Sequence, residues 1–206
     1  MSRFQYYEEL KNLAHDMRKA YSISTPRVLR SDMRRIYRSH GIRIDLWPYT
    51  LRNLRGAYFN DDLGPSVMIR RSLPQDPMIF TLAHELKHHL VDRDAGPSFC
   101  DASNQDQAIE IGAEVFAAEM IYPDDDYVAW MTAEGIMRLQ CQPEDLVRMK
   151  NHTRTTLSYA GLVKKAEFLG YARPGAFSKL KWKKLEEQIF GEPFYKKLLR
   201  RQSSYR

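Results

Sequence analysis

The chain has 206 residues, 43% of them hydrophobic and 28% charged, with a net charge of +6 and two cysteines. That length supports one large domain, or an ordinary domain with a small appendage, and a core that needs no disulfide or metal staple. The composition excludes fibrous and low-complexity classes, no stretch approaches the ~20 apolar residues of a membrane span, and Cys100 and Cys141 are too few for a disulfide framework.

Residues 3–21 place Phe4, Tyr7, Leu10, Leu13 and Met17 near helical spacing, which predicts an amphipathic helix. Ser24-Thr25-Pro26 reads as a second helix start, with Pro26 in the first turn and Gly41 closing the helix. Ile42 to Trp47 alternates as a strand does. Arg55 to Asn60 and Ser66 to Arg71 are two further short strands, and the Asp61-Asp62-Leu63-Gly64-Pro65 turn joins them as a hairpin. Pro74 to Pro77 breaks the chain before a helix over about 78–91. A loop with Gly96 and Pro97 leads to a helix over about 104–121, and Pro123 with Asp124, Asp125 and Asp126 ends that unit. Beyond it, residues 143–150 and 157–171 read as short helices, compatible with a helix-turn-helix-like unit. The division expected is therefore 1–126 and a helical region 127–206 that ends in a basic tail.

Charge is unevenly placed along these elements. Residues 76–126 hold 2 basic and 12 acidic residues, whereas 179–206 hold 9 basic and 3 acidic. An acidic segment favours divalent metal and basic substrates. A basic tail interleaved with Trp182, Phe194 and Tyr195 suits nucleic acid or an acidic partner, and equally suits packing as an amphipathic docking helix. Met1 to Leu10 has no apolar signal core, so a cytoplasmic protein is expected, in which both cysteines stay reduced.

His84-Glu85-Leu86-Lys87-His88 is an HExxH pattern on a predicted helix. At about 100° per residue, His88 lies about 40° from His84, so both imidazoles reach one metal from one face. Glu85 lies about 100° from His84, beside the metal, where a carboxylate can take a proton from metal-bound water. Ile79, Leu82, Ala83, Leu86 and Leu90 gather on the opposite side, so the core face is accounted for without the histidines. His89 points away from the pair and reads as packing. Catalytic zinc also needs a third protein ligand and an open position. The helix over 104–121 supplies Glu110, Glu114 and Glu119 among apolar residues on nearly every side, and buried glutamates need a partner. Glu110, bordering Ala113 and Ala117, is the favoured ligand. Glu114, one turn on, is either a carboxylate behind a histidine or the ligand itself, and Glu119 falls on the far side. Asp92, Asp94 and Asp101 are weaker alternatives. Tyr122, His152 and Tyr159 are candidates for stabilising an oxyanion.

The segments Met78 to His88 and Glu110 to Pro123 resemble the ImmA/IrrE family of metallo-endopeptidases, whose pattern is FTLAHELGH followed by E-x-x-A-N-x-F-A-A-x-L-L-M-P. Leu54-Arg55-Gly56-Ala57-Tyr58 and the preceding helices match the family layout, and the likeness spans about residues 25–125. It implies an α+β, zincin-like fold: N-terminal helices, a small three-stranded sheet, the HExxH helix and a helical C-terminal region. It implies Zn2+ held by His84, His88 and Glu110, with Glu85 as catalytic base. It also implies a cytoplasmic endopeptidase acting on a regulatory protein, typically a helix-turn-helix repressor, which as a basic DNA-binding protein would suit the acidic segment. Lys87 replaces the family's glycine and could crowd the cleft. Glu114 replaces an asparagine and Tyr122 a methionine. The competing expectation is a DNA-binding or scaffold protein that keeps the fold without proteolysis.

Overall fold

The computed structural model describes residues 2–49, 54–93, 98–99, 108–193 and 196. Cys100, Asp94, Asp101, Phe194, Tyr195 and the tail's last residues, 197–206, lie outside them. By its contacts the chain divides into two units, one of residues 1–127 and 153–158, the other of 128–152 and 159–206. Among the described residues no helix is long and apolar enough to cross a membrane.

The first unit opens with α1 (Arg3–Ala20). Ser2 caps it reciprocally, its hydroxyl accepting from Gln5 N–H while Gln5 Oε1 accepts from Ser2 N–H. Leu10, Ala14 and Met17 form its buried face. The second helix, α2 (Arg30–Ser39), begins four residues later than its Pro26 signal suggests. The Asp32 carboxylate accepts the Leu29 N–H at 2.9 Å and so fixes Leu29 as the cap, while the Pro26 carbonyl accepts from Thr156 N–H.

Three strands follow: β1 (Arg43–Trp47), β2 (Gly56–Asp61) and β3 (Gly64–Arg70). Gly64, at φ 88°, and the Leu63 N–H bonded to Asp61 Oδ1 close the β2–β3 hairpin where the turn residues predict it. β1 runs parallel to β3, in the register Ile44 to Val67, and a two-residue strand not foreseen from sequence, β4 (Ser98–Phe99), pairs with β2. The sheet order is β1-β3-β2-β4. Ala57, Tyr58, Val67 and Ile69 are fully buried. The fold is thus α+β, with a small sheet of three main strands among helices.

α3 (Gln75–Val91) packs on β2 and β3 and against α2. Pro77 sits in its first turn, where a missing N–H costs no helical bond. α4 (Ala108–Ile121) packs on α3 and α1. Gly112 lets α1 approach, since a Cβ there would come within 2.8 Å of Leu10 and 2.9 Å of Tyr6. Arg18, 6% exposed, donates to the carbonyls of Met120 and Ile121 and so satisfies the end of α4. Glu119, far from the α3 side as the helical angles suggest, accepts from the Asp124 N–H and pairs with His15.

α5 (Asp124–Ala133) continues from the first unit into the second, which holds most of α6 (Pro143–Thr153), α7 (Tyr159–Phe168) and α8 (Trp182–Phe190). The second unit has a core of its own, with Met131, Leu146, Val147, Met149, Leu162 and Ala166 buried. Cys141 is free and buried, and burial pushes its thiol up to about 12, so it is inert at neutral pH. The rings of Tyr159 and Trp182 stack with centroids 4.9 Å apart. α8 buries no residue completely.

Candidate metal centre

Eleven consecutive or near-consecutive residues of α3, from Met78 to His89, are buried, including His84, Glu85, Lys87, His88 and His89. So many polar groups inside a helix enclosed by α2, α4 and the sheet each require a partner, and the partners define the site.

His84 Nε2 and His88 Nε2 lie 3.3 Å apart, as expected for residues four apart on one helical face. Glu110, in the first turn of α4, meets them from the neighbouring helix. Its Oε2 lies 3.2 Å from His84 Nε2, and its Oε1 lies 3.5 Å from His88 Nε2. These three side chains are buried, their donor atoms all lie within 4.8 Å of one another, and together they could hold a metal ion. Glu114 is half-buried and outside that cluster, although its charge reaches His84. Burial lowers the His84 pKa below its ordinary value, a fall that the Glu110 hydrogen bond partly offsets, which favours the neutral imidazole a metal requires. Burial alone would raise the Glu110 carboxyl, but the bond from His84 and the neighbouring positive charges hold it below the ordinary carboxylate range.

Residues 38–134 match the family model described as the IrrE N-terminal-like domain, Peptidase_M78. This segment belongs to that family of metallopeptidases. No curated protein matches the chain. The match spans the sheet, α3 and α4, and so contains every residue of the cluster.

Within this Peptidase_M78 domain two further residues stand behind the cluster. Asp92, the residue that caps the C-terminal end of α3, accepts from His88 Nδ1 at 2.8 Å. The proton on Nδ1 leaves Nε2 free to face His84 and Glu110. In the sequence Asp92 reads only as a weak ligand candidate. Its spacing of four from His88, at a helix end, is the signal that identifies it as an orienting partner instead. Lys87 does not stand in an open cleft. It is completely buried, and its amine donates to Asp92 Oδ2 at 2.6 Å and to the Ile109 carbonyl at 3.1 Å.

Glu85 is fully buried one residue beyond His84. Gly56, at the start of β2, lies against it, and a Cβ there would stand 2.9 Å from Glu85 Oε1, 2.5 Å from Thr81 Cγ2 and 3.0 Å from Ile69 Cδ1. A glycine inside a strand pattern signals such a close approach. Gly56→Ala is therefore expected to destabilise the fold by about 1–3 kcal/mol, because the neighbours it would push are buried. Thermal unfolding measures this, and an unchanged Tm would show that the sheet and α3 separate freely at this point.

The remaining sequence candidates lie elsewhere. His89 pairs with Tyr58 through Nδ1 at 3.1 Å and meets the edge of the His40 ring, so it is part of the packing. The Tyr122 ring packs near Tyr127. His152 accepts from Trp130 Nε1 within the second unit.

Proposed function

We propose that this protein is a zinc-dependent endopeptidase that hydrolyses a peptide bond in an intracellular regulatory protein. The single observation that carries the reading is the His84–His88–Glu110 cluster on an HExxH helix in a Peptidase_M78 domain. The donor set fits the ion. Two imidazole nitrogens and one carboxylate suit zinc, and three protein ligands leave one position open. One donor atom from each of the three side chains lies within 4.8 Å of the other two, so one ion could reach all three. Held by His84, His88 and Glu110, the ion would supply Lewis acidity toward a water and the scissile carbonyl. Glu85 accepts the proton and delivers it to the leaving amine. Asp92 holds His88 in the tautomer that presents Nε2.

For the substrate, the observation is charge. Residues 76–126 carry 12 acidic side chains against 2 basic ones, and although Glu85, Glu110 and Glu119 are buried and Asp92 is paired with Lys87, the excess of acidic residues favours approach by a basic protein such as a helix-turn-helix repressor in the cytoplasm. The test is to incubate the zinc-loaded chain with a basic helix-turn-helix protein and look for discrete fragments. Fragments that vanish with a chelator and return with zinc are expected, at a rate that falls as salt rises. A repressor left intact by the loaded chain, while a DNA mobility shift depends on the basic tail, would replace this reading with a binding role.

A further inference from the structure

We propose that Lys87 is a positioning residue for the metal centre, one buried amine that anchors the groups behind two of its three donors. The proposal rests on the reading of His84, His88 and Glu110 as metal ligands and goes beyond it.

Lys87 has no exposed side-chain surface. An ammonium so enclosed requires a counter-charge and hydrogen bonds. It finds them on three different elements. The Asp92 carboxylate at the end of α3 lies 2.6 Å away, and the Ile109 carbonyl in the first turn of α4 lies 3.1 Å away. The Tyr6 ring of α1 lies beneath it, with its centroid 5.6 Å from Nζ.

Two of these partners lead directly to the cluster. The oxygen of Asp92 that binds Lys87 is the one that accepts from His88 Nδ1. Ile109 immediately precedes Glu110, so a tether on its carbonyl fixes the backbone from which the third donor projects. Lys87 itself lies between the two histidines in sequence, on the helix that carries them. One amine therefore ties the His88 donor of α3 to the Glu110 donor of α4 from behind, where it occupies no coordination position. The second bond, to the residue before Glu110, is what makes the contact a clamp between ligand-bearing helices.

The test is equilibrium binding of Zn2+ and Co2+ to the full chain, with folding followed separately by circular dichroism in chelator. Lys87→Met is expected to stay helical and to bind Zn2+ about 10–100-fold more weakly, the range for loss of a group behind a metal ligand. The visible bands of its Co2+ form are expected to shift, because Glu110 and His88 are no longer held in register. Lys87→Gln keeps an N–H donor without the charge and is expected to lose affinity to a smaller, measurable degree. The double variant Lys87→Met/Asp92→Asn is expected to lose less than the two single losses combined, since both act on one network. A folded Lys87→Met with unchanged affinity and unchanged Co2+ spectrum overturns the proposal, and so do fully additive losses. If Lys87→Met does not fold, Lys87→Gln decides, and unchanged affinity there overturns it equally. Failure of the unsubstituted chain to bind either ion overturns the metal-site reading and this proposal with it.

Discussion

Replacing Glu85 with glutamine is expected to lower peptide hydrolysis by about 10²–10⁴-fold while bound metal is retained. The change is nearly isosteric, so the packing against Gly56, Thr81 and Ile69 should persist. What disappears is the capacity to take a proton. Glu85 occupies none of the three donor positions of the cluster, so metal content should not follow activity down. Glu85 is fully buried, and its neighbour Tyr37 keeps its hydroxyl proton because burial, and then the Glu85 charge, raises that phenol well above its ordinary value. Tyr37 donates that proton to the Leu82 carbonyl at 2.6 Å, which leaves the helix geometry around Glu85 anchored in the variant. Initial rates of substrate cleavage, paired with elemental analysis of the same preparations, measure both halves. Retained activity would remove Glu85 from the chemistry. Parallel loss of activity and metal would recast it as a structural residue.

The parts of this site that share one helix were legible in advance, and the parts that depend on a meeting of elements were not. His84 and His88 fall on one face of α3 by spacing alone, and their Nε2 atoms lie 3.3 Å apart. Glu110 and Glu114 are one turn apart on a common side, so the sequence favours Glu110 only through its small neighbours Ala113 and Ala117 and leaves Glu114 as the alternative. What distinguishes them is where α4 approaches α3, a property of packing that sets the first turn of α4 beside the histidines. Lys87 was misjudged for the same reason. In the sequence it reads as a residue that could crowd the cleft, and only the presence of α4 and α1 turns its position into a buried one. Asp92 depended on the helix ending at Val91, which makes it a cap rather than a loop residue. The strands and their hairpin were readable from alternation and turn chemistry, whereas the return of residues 153–158 to the first unit follows from long-range contacts such as Thr156 N–H to the Pro26 carbonyl. The α2 boundary was missed because Pro26 is a strong local signal. The Asp32 cap and the bond to Thr156 override it.

Glu110→Gln and Glu114→Gln are expected to separate cleanly by metal affinity. In Glu110→Gln, loss of the carboxylate removes a charged donor from a pair of imidazoles that lie within 3.5 Å of it. Affinity should fall by more than the roughly 10–100-fold that follows loss of a group behind a ligand. Glu114→Gln keeps all three donor atoms of the cluster and removes a charge near His84. Its effect should stay within about 10-fold, since its charge reaches His84 from outside the cluster and is partly screened. Competition with a metal-binding dye, carried out on folded variants at one pH, measures both constants. Equal losses in the two variants would mean that the carboxylates share the ion, and a greater loss in Glu114→Gln would transfer the third ligand one turn along α4. Either result requires α4 to slide or rotate against α3. The buried neighbours Ala113, Phe116 and Ala117 and the tight Gly112 approach to α1 oppose that movement. The same packing that makes Glu110 the near carboxylate therefore makes the ordering of the two variants a test of the helix register itself.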